Sequence, residues 1–287
     1  MTEKISFLIF CFLKALDKIF QLTIKKSFLP WLNYFIQKKS YKYVEIDKKK
    51  IYLFAPNALV DYRVNTFFSK EPETLEWINS FKNEKDFIFW DIGANVGLYS
   101  IYNAVINHNS KTIAFEPSSS NLRILTRNIS INNLENKISI FQFPLSDKEN
   151  KFQMMNEPDF IEGGALNSFG EKINFEGKKF NPQMKYNIFG TNINYLLNSK
   201  ILEIPDFIKL DVDGIEHLIL EGANEYLNNN KIKSISVEIN ENYTIHHEKI
   251  LNILKTNNFN LLHKKNSLDH ADINSKHYNT FNYVFIR

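Results

Sequence analysis

Apolar residues in this chain follow two different rhythms. Over residues 3–37 they recur at helical spacing, and Phe7, Phe10, Leu13, Phe20, Ile24, Leu29, Leu32 and Phe35 make a wide apolar face. Residues 1–41 therefore read as an amphipathic helical extension. Residues 42–55 read as two short strands, YKYVEI then KIYLFA, with a Lys-rich turn between them, and Pro56-Asn57 marks a further turn. Residues 71–82 read as a helix, because Pro72 lies near its start and Glu71 and Glu73 lie in its first turn. The stretch 42–85 is expected to cap the core.

From residue 86 strands and helices alternate. DFIFWDI (86–92) is a near-continuous apolar run, as expected of a parallel strand buried on both faces. A helix is expected at 96–106 and a strand at 111–116. The next helix, 118–131, could be capped by Ser118 or Ser119, with Leu122, Leu125 and Ile129 turned inward. Residues 138–145 read as a third strand. Between 148 and 200 the rhythm breaks into a polar, glycine-containing stretch, expected to be a lid or substrate loop with some strand content. Strands return at 206–212, 232–239, 259–264 and 280–286, with helices at 215–228 and 246–257. This alternation predicts an α/β fold over 86–287, a Rossmann-like sheet with helices on both faces.

Composition narrows the functional classes. A net charge of +3 makes no case for a nucleic-acid partner. The single cysteine, Cys11, excludes an intramolecular disulfide and a Cys-rich metal site, and fits a reducing, cytoplasmic setting. The apolar run ISFLIFCFL (5–13) lacks a small-residue cleavage site and is too short to span a bilayer. Two roles for residues 3–37 stay open. They could dock on the core or on a second subunit, or adsorb at a membrane surface with help from Lys25, Lys26, Lys38 and Lys39.

The strongest chemical signal is the string Asp91-Ile92-Gly93-Ala94-Asn95-Val96-Gly97, at the carboxyl end of the first core strand. Open α/β sheets bind ligands at this edge. Gly93 allows a tight turn, Gly97 allows close packing, and the helix start offers N–H groups. Glu116 ends the next strand, where nucleotide-binding α/β proteins place the acid that holds ribose hydroxyls. The alternative for Glu116 is a cap on the following helix. Asn95 stands where a dinucleotide site wants its middle glycine. Asp91 would repel a phosphate and suits an ammonium group. Together these favour S-adenosyl-L-methionine, which carries an amino-acid end, over NAD.

WDIGANVGLYS (90–100), AFEPSSSNLRILTRNISINNL (114–134), LSD (145–147), FIKLDVDGIEHLILEGA (207–223) and SVEIN (236–240) occur in this order. In this the chain resembles the FkbM-type methyltransferases over roughly residues 50–287. The resemblance implies a seven-stranded methyltransferase sheet whose last strand, 280–286, is antiparallel. It implies that Asp91, Gly93, Asn95 and Gly97 surround the methionine part of the cofactor, that Glu116 takes the ribose, and that Ser146 or Asp147 lies near the adenine. It also implies that Asp211 faces the reacting centre and that the acceptor is a hydroxyl, often on a sugar or other natural-product scaffold.

An alcohol is a poor nucleophile, so a base is expected near it. Asp211 is the first choice, with Asp213 and Glu238 as alternatives. Lys209, Asp211 and Asp213 would share one side of an extended strand, and a Lys209–Asp211 ion pair is an equally structural reading. No ligand motif calls for a metal, although one bound through Asp211 and its neighbours stays open. Arg63, Gly163 and Gly164 are the expected substrate contacts. The partners expected are a small-molecule or glycan acceptor, a peripheral membrane contact and a further copy of the chain. The rival readings are an NAD-linked oxidoreductase and a non-catalytic, membrane-peripheral binding protein.

Overall fold

The computed structural model describes residues 1–266, 275 and 277–287; His270 lies outside them. Helices α1 (Thr2–Ile24) and α2 (Leu29–Lys39) open the chain. An antiparallel hairpin of β1 (Tyr41–Ile46) and β2 (Lys49–Phe54) follows, then α3 (Ala58–Asn65) and α4 (Pro72–Asn79). Helix α3 replaces the irregular turn expected after Pro56. Asn57 caps it, its side-chain oxygen accepting the Val60 N–H at 2.9 Å. The helix has no clean apolar stripe, so this cap is the only signal the sequence offers for it.

The core then runs β3 (Ile88–Ile92), α5 (Leu98–Ile106), β4 (Lys111–Phe115), α6 (Ser119–Ile131) and β5 (Ile138–Phe141). The insert contributes β6 (Lys151–Glu157), β7 (Ser168–Phe169) and β8 (Met184–Gly190), a small antiparallel sheet, followed by α7 (Ile193–Asn198). The chain closes with β9 (Phe207–Leu210), α8 (Glu216–Glu221), β10 (Ser234–Asn240), α9 (Thr244–Thr256), β11 (Asn260–Lys265) and β12 (Thr280–Ile286).

The seven-stranded sheet has the order β11-β12-β10-β9-β3-β4-β5. β12 is antiparallel to both its neighbours, and the β10–β9–β3–β4–β5 pairings are parallel. Winding outward in both directions from β3 and β9 creates a switch point between them, and a crevice opens there at the strands' carboxyl ends. Alternate residues of β3 serve two separate cores. Phe89 packs with the hairpin, α4, α5 and α6, whereas Ile88, Trp90 and Ile92 pack with α8 and α9. Residues 42–85 belong to the first core: Phe81 stacks on Phe207 at 3.7 Å, and the Trp77 indole donates to Ser234 Oγ at 2.9 Å.

Three elements end earlier than their apolar runs suggest. β5 stops at Phe141, before Pro144, which has no N–H for a ladder. β9 stops at Leu210, because the chain bends at Asp213 into the left-handed region, φ 64°. α8 stops at Glu221, where Gly222 lies against the Ser146 carbonyl.

Asn128 joins three of these parts. It accepts the Phe54 N–H at 2.8 Å and donates to the Val96 carbonyl at 2.9 Å, with no solvent exposure. Asn128→Ala leaves two buried backbone groups without partners and is expected to cost about 2–3 kcal/mol, read as a lower urea midpoint.

Candidate active site

The bend after β3 is stitched to the end of β4. The Gly93 and Ala94 N–H groups both donate to the Phe115 carbonyl, at 3.0 and 2.9 Å. Asn95, at φ 51°, donates its N–H to Glu116 Oε2 at 2.8 Å, and the Ser118 N–H reaches Glu116 Oε1 at 2.8 Å. Glu116 therefore stands beside the bend, and its alternative role is limited to the N–H of Ser118, the residue that precedes α6. Burial pushes its carboxyl up to about 8, against the pull of the N–H groups of Ser118 and Asn95 and the side chain of Asn121. On the other side the bend presses on β9: a Cβ on Gly93 would lie 1.7 Å from the Asp211 carbonyl oxygen.

A cavity of about 420 Å³ opens at this edge, within the usual range for a small-molecule site. Gly93, Asn95 and Glu116 line it, as do Asp211, Asp213 and Glu238. Part of the insert closes it. Asn95 Nδ2 donates to the Gly164 carbonyl at 2.7 Å, Arg63 Nε donates to the Gly163 carbonyl at 2.7 Å, and the Leu166 N–H donates to Asp213 Oδ2 at 2.6 Å. Arg63 and Gly164 line the cavity, whereas Gly163 stands behind it, its carbonyl held by Arg63 and its N–H donating to Asn121 Oδ1 at 2.9 Å.

The cavity holds more acid than base. Lys209 Nζ pairs with Asp211 Oδ2 at 2.6 Å, the structural ion pair that the strand pattern allowed. Burial works against the Lys209 ammonium, but Asp211, Asp91 and Glu71 outweigh it and raise its pKa. Burial also opposes the charge of Glu71; Lys70 and Lys209, with the Tyr99 hydroxyl at 2.8 Å, hold it down at about 2. Among the described residues, Arg63 pulls Asp213 down and Lys70 pulls Glu238 down, but both are outweighed. Burial first, then the charge of Asp211, pushes Asp213 up to about 7, and burial with Asp211 and Asp213 raises Glu238 well above the carboxylate range. Oxygens of Asp211, Asp213 and Glu238 lie within 4.8 Å of one another, a spacing that a divalent cation could bridge. Behind the turn that carries Asp213, Glu216 accepts the Val212 and Gly214 N–H groups at 2.9 and 3.0 Å. Its other contact is His246, at 2.6 Å.

The family model described as Methyltransferase FkbM domain matches residues 91–261, well over half of the chain. This chain belongs to the FkbM methyltransferase family. The cofactor that goes with membership is S-adenosyl-L-methionine. A curated relative, methyltransferase sdnD of Sordaria araneosa, is 25% identical over 154 residues, which are 47% of this FkbM-family chain and 60% of that protein. The match thus spans less than two thirds of the relative's length. Two solved structures are similar. A precorrin-6y C5,15-methyltransferase of Geobacter metallireducens has 13% identity and a TM-score of 0.42, covering 75% of this chain and 87% of its own. An rRNA methylase of Streptococcus thermophilus has 12% identity and a TM-score of 0.45, covering 75% and 94%.

The residues present fit this cofactor. The bend at Gly93 leaves main chain open to the cavity, and the Glu116 carboxyl, although held by the Asn95 and Ser118 N–H groups, lines that cavity. Four expected contacts are not in the cavity wall. Asp91 lies fully buried behind it, with Oδ2 accepting from Ser100 Oγ at 2.6 Å and Oδ1 without a hydrogen-bond partner among the described residues. Gly97 serves packing, since a Cβ there would sit 2.4 Å from Leu125 Cδ1 of α6. Ser146 and Asp147 turn toward Gly222 and the insert, because the chain leaves the sheet at Pro144; Phe143, Pro144 and Leu145 line the cavity instead. Sequence reasoning missed Tyr62, Lys70, Tyr99 and the inward turn of Glu71. His277 also lines the cavity and stacks on Phe175 at 4.4 Å. His217 is a packed histidine, 6% exposed, which burial lowers to about 4.

Gly93→Ala forces a Cβ into the Asp211 carbonyl at φ +88°. It is expected to destabilise the fold by about 3–5 kcal/mol, more than Asn128→Ala, in the same urea titration.

Proposed function

We propose that this protein transfers a methyl group from S-adenosyl-L-methionine to a hydroxyl of a sugar, glycan or related small molecule. The carrying observation is that one cavity has Glu116 at one strand end and Asp213, with a carboxyl near neutral pKa, at another. When bound, the cofactor supplies an electrophilic methyl on a sulfonium. Glu116 receives the ribose hydroxyls, and the bend from Gly93 to Asn95 shapes the seat beside it. Asp213 serves as the base and accepts the proton of the acceptor hydroxyl as the new C–O bond forms. It suits this role better than Asp211, which Lys209 already engages at 2.6 Å. A base works best with a pKa near the working pH, and Asp213 is held there by burial and the neighbouring charge. Arg63 and Lys70 on the wall offer donors, and the Tyr99 hydroxyl an acceptor lone pair, suited to a hydroxyl-rich acceptor.

Titration with S-adenosylhomocysteine tests the seat. The wild-type chain is expected to bind it and Glu116→Ala to bind at least about tenfold more weakly, since two hydrogen bonds to the ribose are lost. Unchanged affinity in Glu116→Ala, or a melting shift with NADH in its place, would overturn the assignment.

Asp213 acts in its ionised form, so kcat is expected to rise about tenfold from pH 6 to pH 8, with its midpoint near 7. Asp213→Asn is expected to lower kcat about 10²–10⁴-fold, abolish that rise and leave S-adenosylhomocysteine affinity intact. The readout is the gain of one CH₂ by mass spectrometry across sugar hydroxyl, carboxyl and amine acceptors. Transfer confined to amines would exclude the hydroxyl reading.

A further inference from the structure

The N-terminal helices play no part in the cavity chemistry, yet they present an extensive unpartnered apolar surface. Ile5, Leu8, Ile9, Phe12, Leu16 and Ile19 recur at spacings of three and four residues, share one side of α1, and are all exposed. The opposite side mixes polar residues with the exposed Phe7 and Phe10, and its polar residues near the helix end build the corner into α2. Asp17, 3% exposed, accepts from Gln21 Nε2 at 2.6 Å, Ser27 Oγ at 2.8 Å and the Phe28 N–H at 2.7 Å. The corner thus engages Asp17 and Gln21 and leaves the apolar side of α1 exposed. On α2, Trp31, Tyr34 and Phe35 form an exposed aromatic group with Lys38 beside the Tyr34 ring.

We propose that α1 and α2 form an interfacial anchor that seats this protein on an anionic lipid bilayer. Charge selects this occupant. Residues 1–39 carry seven lysines against two acids, whereas the whole chain is only +3, so the remainder is net −2. A second copy docking through the same face would bring two such lysine sets together, and an anionic surface attracts them instead. Among the described residues no helix is long and apolar enough to cross a membrane, so the helices lie in the interface. Apolar side chains enter the acyl boundary there, aromatic rings sit at headgroup level, and lysines snorkel to the phosphates.

The anchor is tied to the cavity rim. Arg123 donates to Gln37 Oε1 of α2 at 2.7 Å and, through its other terminal nitrogen, to Glu162 Oε1 at 2.5 Å. Glu162 also receives Asn57 Nδ2 and adjoins the Gly163–Leu166 segment that closes the cavity. Seating α2 on a bilayer therefore brings this rim to the membrane surface.

Flotation of the full chain with vesicles tests the anchor independently of methyl transfer. Binding to vesicles of phosphatidylcholine with about one third phosphatidylglycerol is expected to exceed binding to pure phosphatidylcholine about tenfold and to weaken in 0.5 M salt. Trp31 is a clean reporter, 63% exposed against 4% for Trp77 and 0% for Trp90. Brominated lipid is expected to quench it. The double variant Phe12→Glu, Ile19→Glu alters only exposed positions, and is expected to lose flotation and quenching about tenfold while keeping its melting temperature and S-adenosylhomocysteine affinity. No flotation, salt-insensitive binding, or a lipid-free dimer in sedimentation that the double variant dissolves would overturn the proposal.

Discussion

The site rests on the contact between a glycine and a carbonyl. Gly93 at the end of β3 lies so close to the Asp211 main chain that no Cβ fits between them. On its other flank the bend hands its N–H groups to Phe115 and Glu116. Three strand ends, β3, β4 and β9, are drawn together by main-chain contacts and by the Glu116 carboxyl. The acids at the tips of β4 and β9 then have to face one hollow, because each strand ends where the bend touches it.

That convergence has an electrostatic consequence. Lys209 is a single buried ammonium, and Asp211, Asp91 and Glu71 all draw on it. Glu71 has Lys70 as well and stays ionised, while Asp213 and Glu238 are left in a low-dielectric pocket with like charge beside them. The surplus of acid over base is thus concentrated on the side of the cavity away from Glu116. The same imbalance suits a proton acceptor and a cation at that wall. Glu216 and His246 hold the turn beneath it in place.

Much of this was legible in the strand pattern. The runs at 86–92, 111–116, 232–239 and 280–286 mark strands of the central sheet within a residue or two, since a strand covered on both faces tolerates little but apolar side chains. Glu116 was legible because an acid ending an apolar strand is costly without a use. Asp213 was placed in the hollow for a different reason than the structure shows: alternation along an extended strand predicted it, but a left-handed turn delivers it. Ser146 and Asp147 were misplaced because the path after Pro144 depends on Thr191 and Gly222, dozens of residues away.

The sequence by itself determined the layer order, the bend and the acid beside it. These depend on local periodicity, on the missing Cβ of glycine and on neighbours in the chain. Only the tertiary structure decided which of Asp211, Asp213 and Glu238 is neutralised. It also decided that Lys70, Glu71 and Tyr99 join the wall, and that the apolar side of α1 faces outward. Charge state and exposure depend on what other segments bring within a few ångströms, and no spacing along one strand or helix records that.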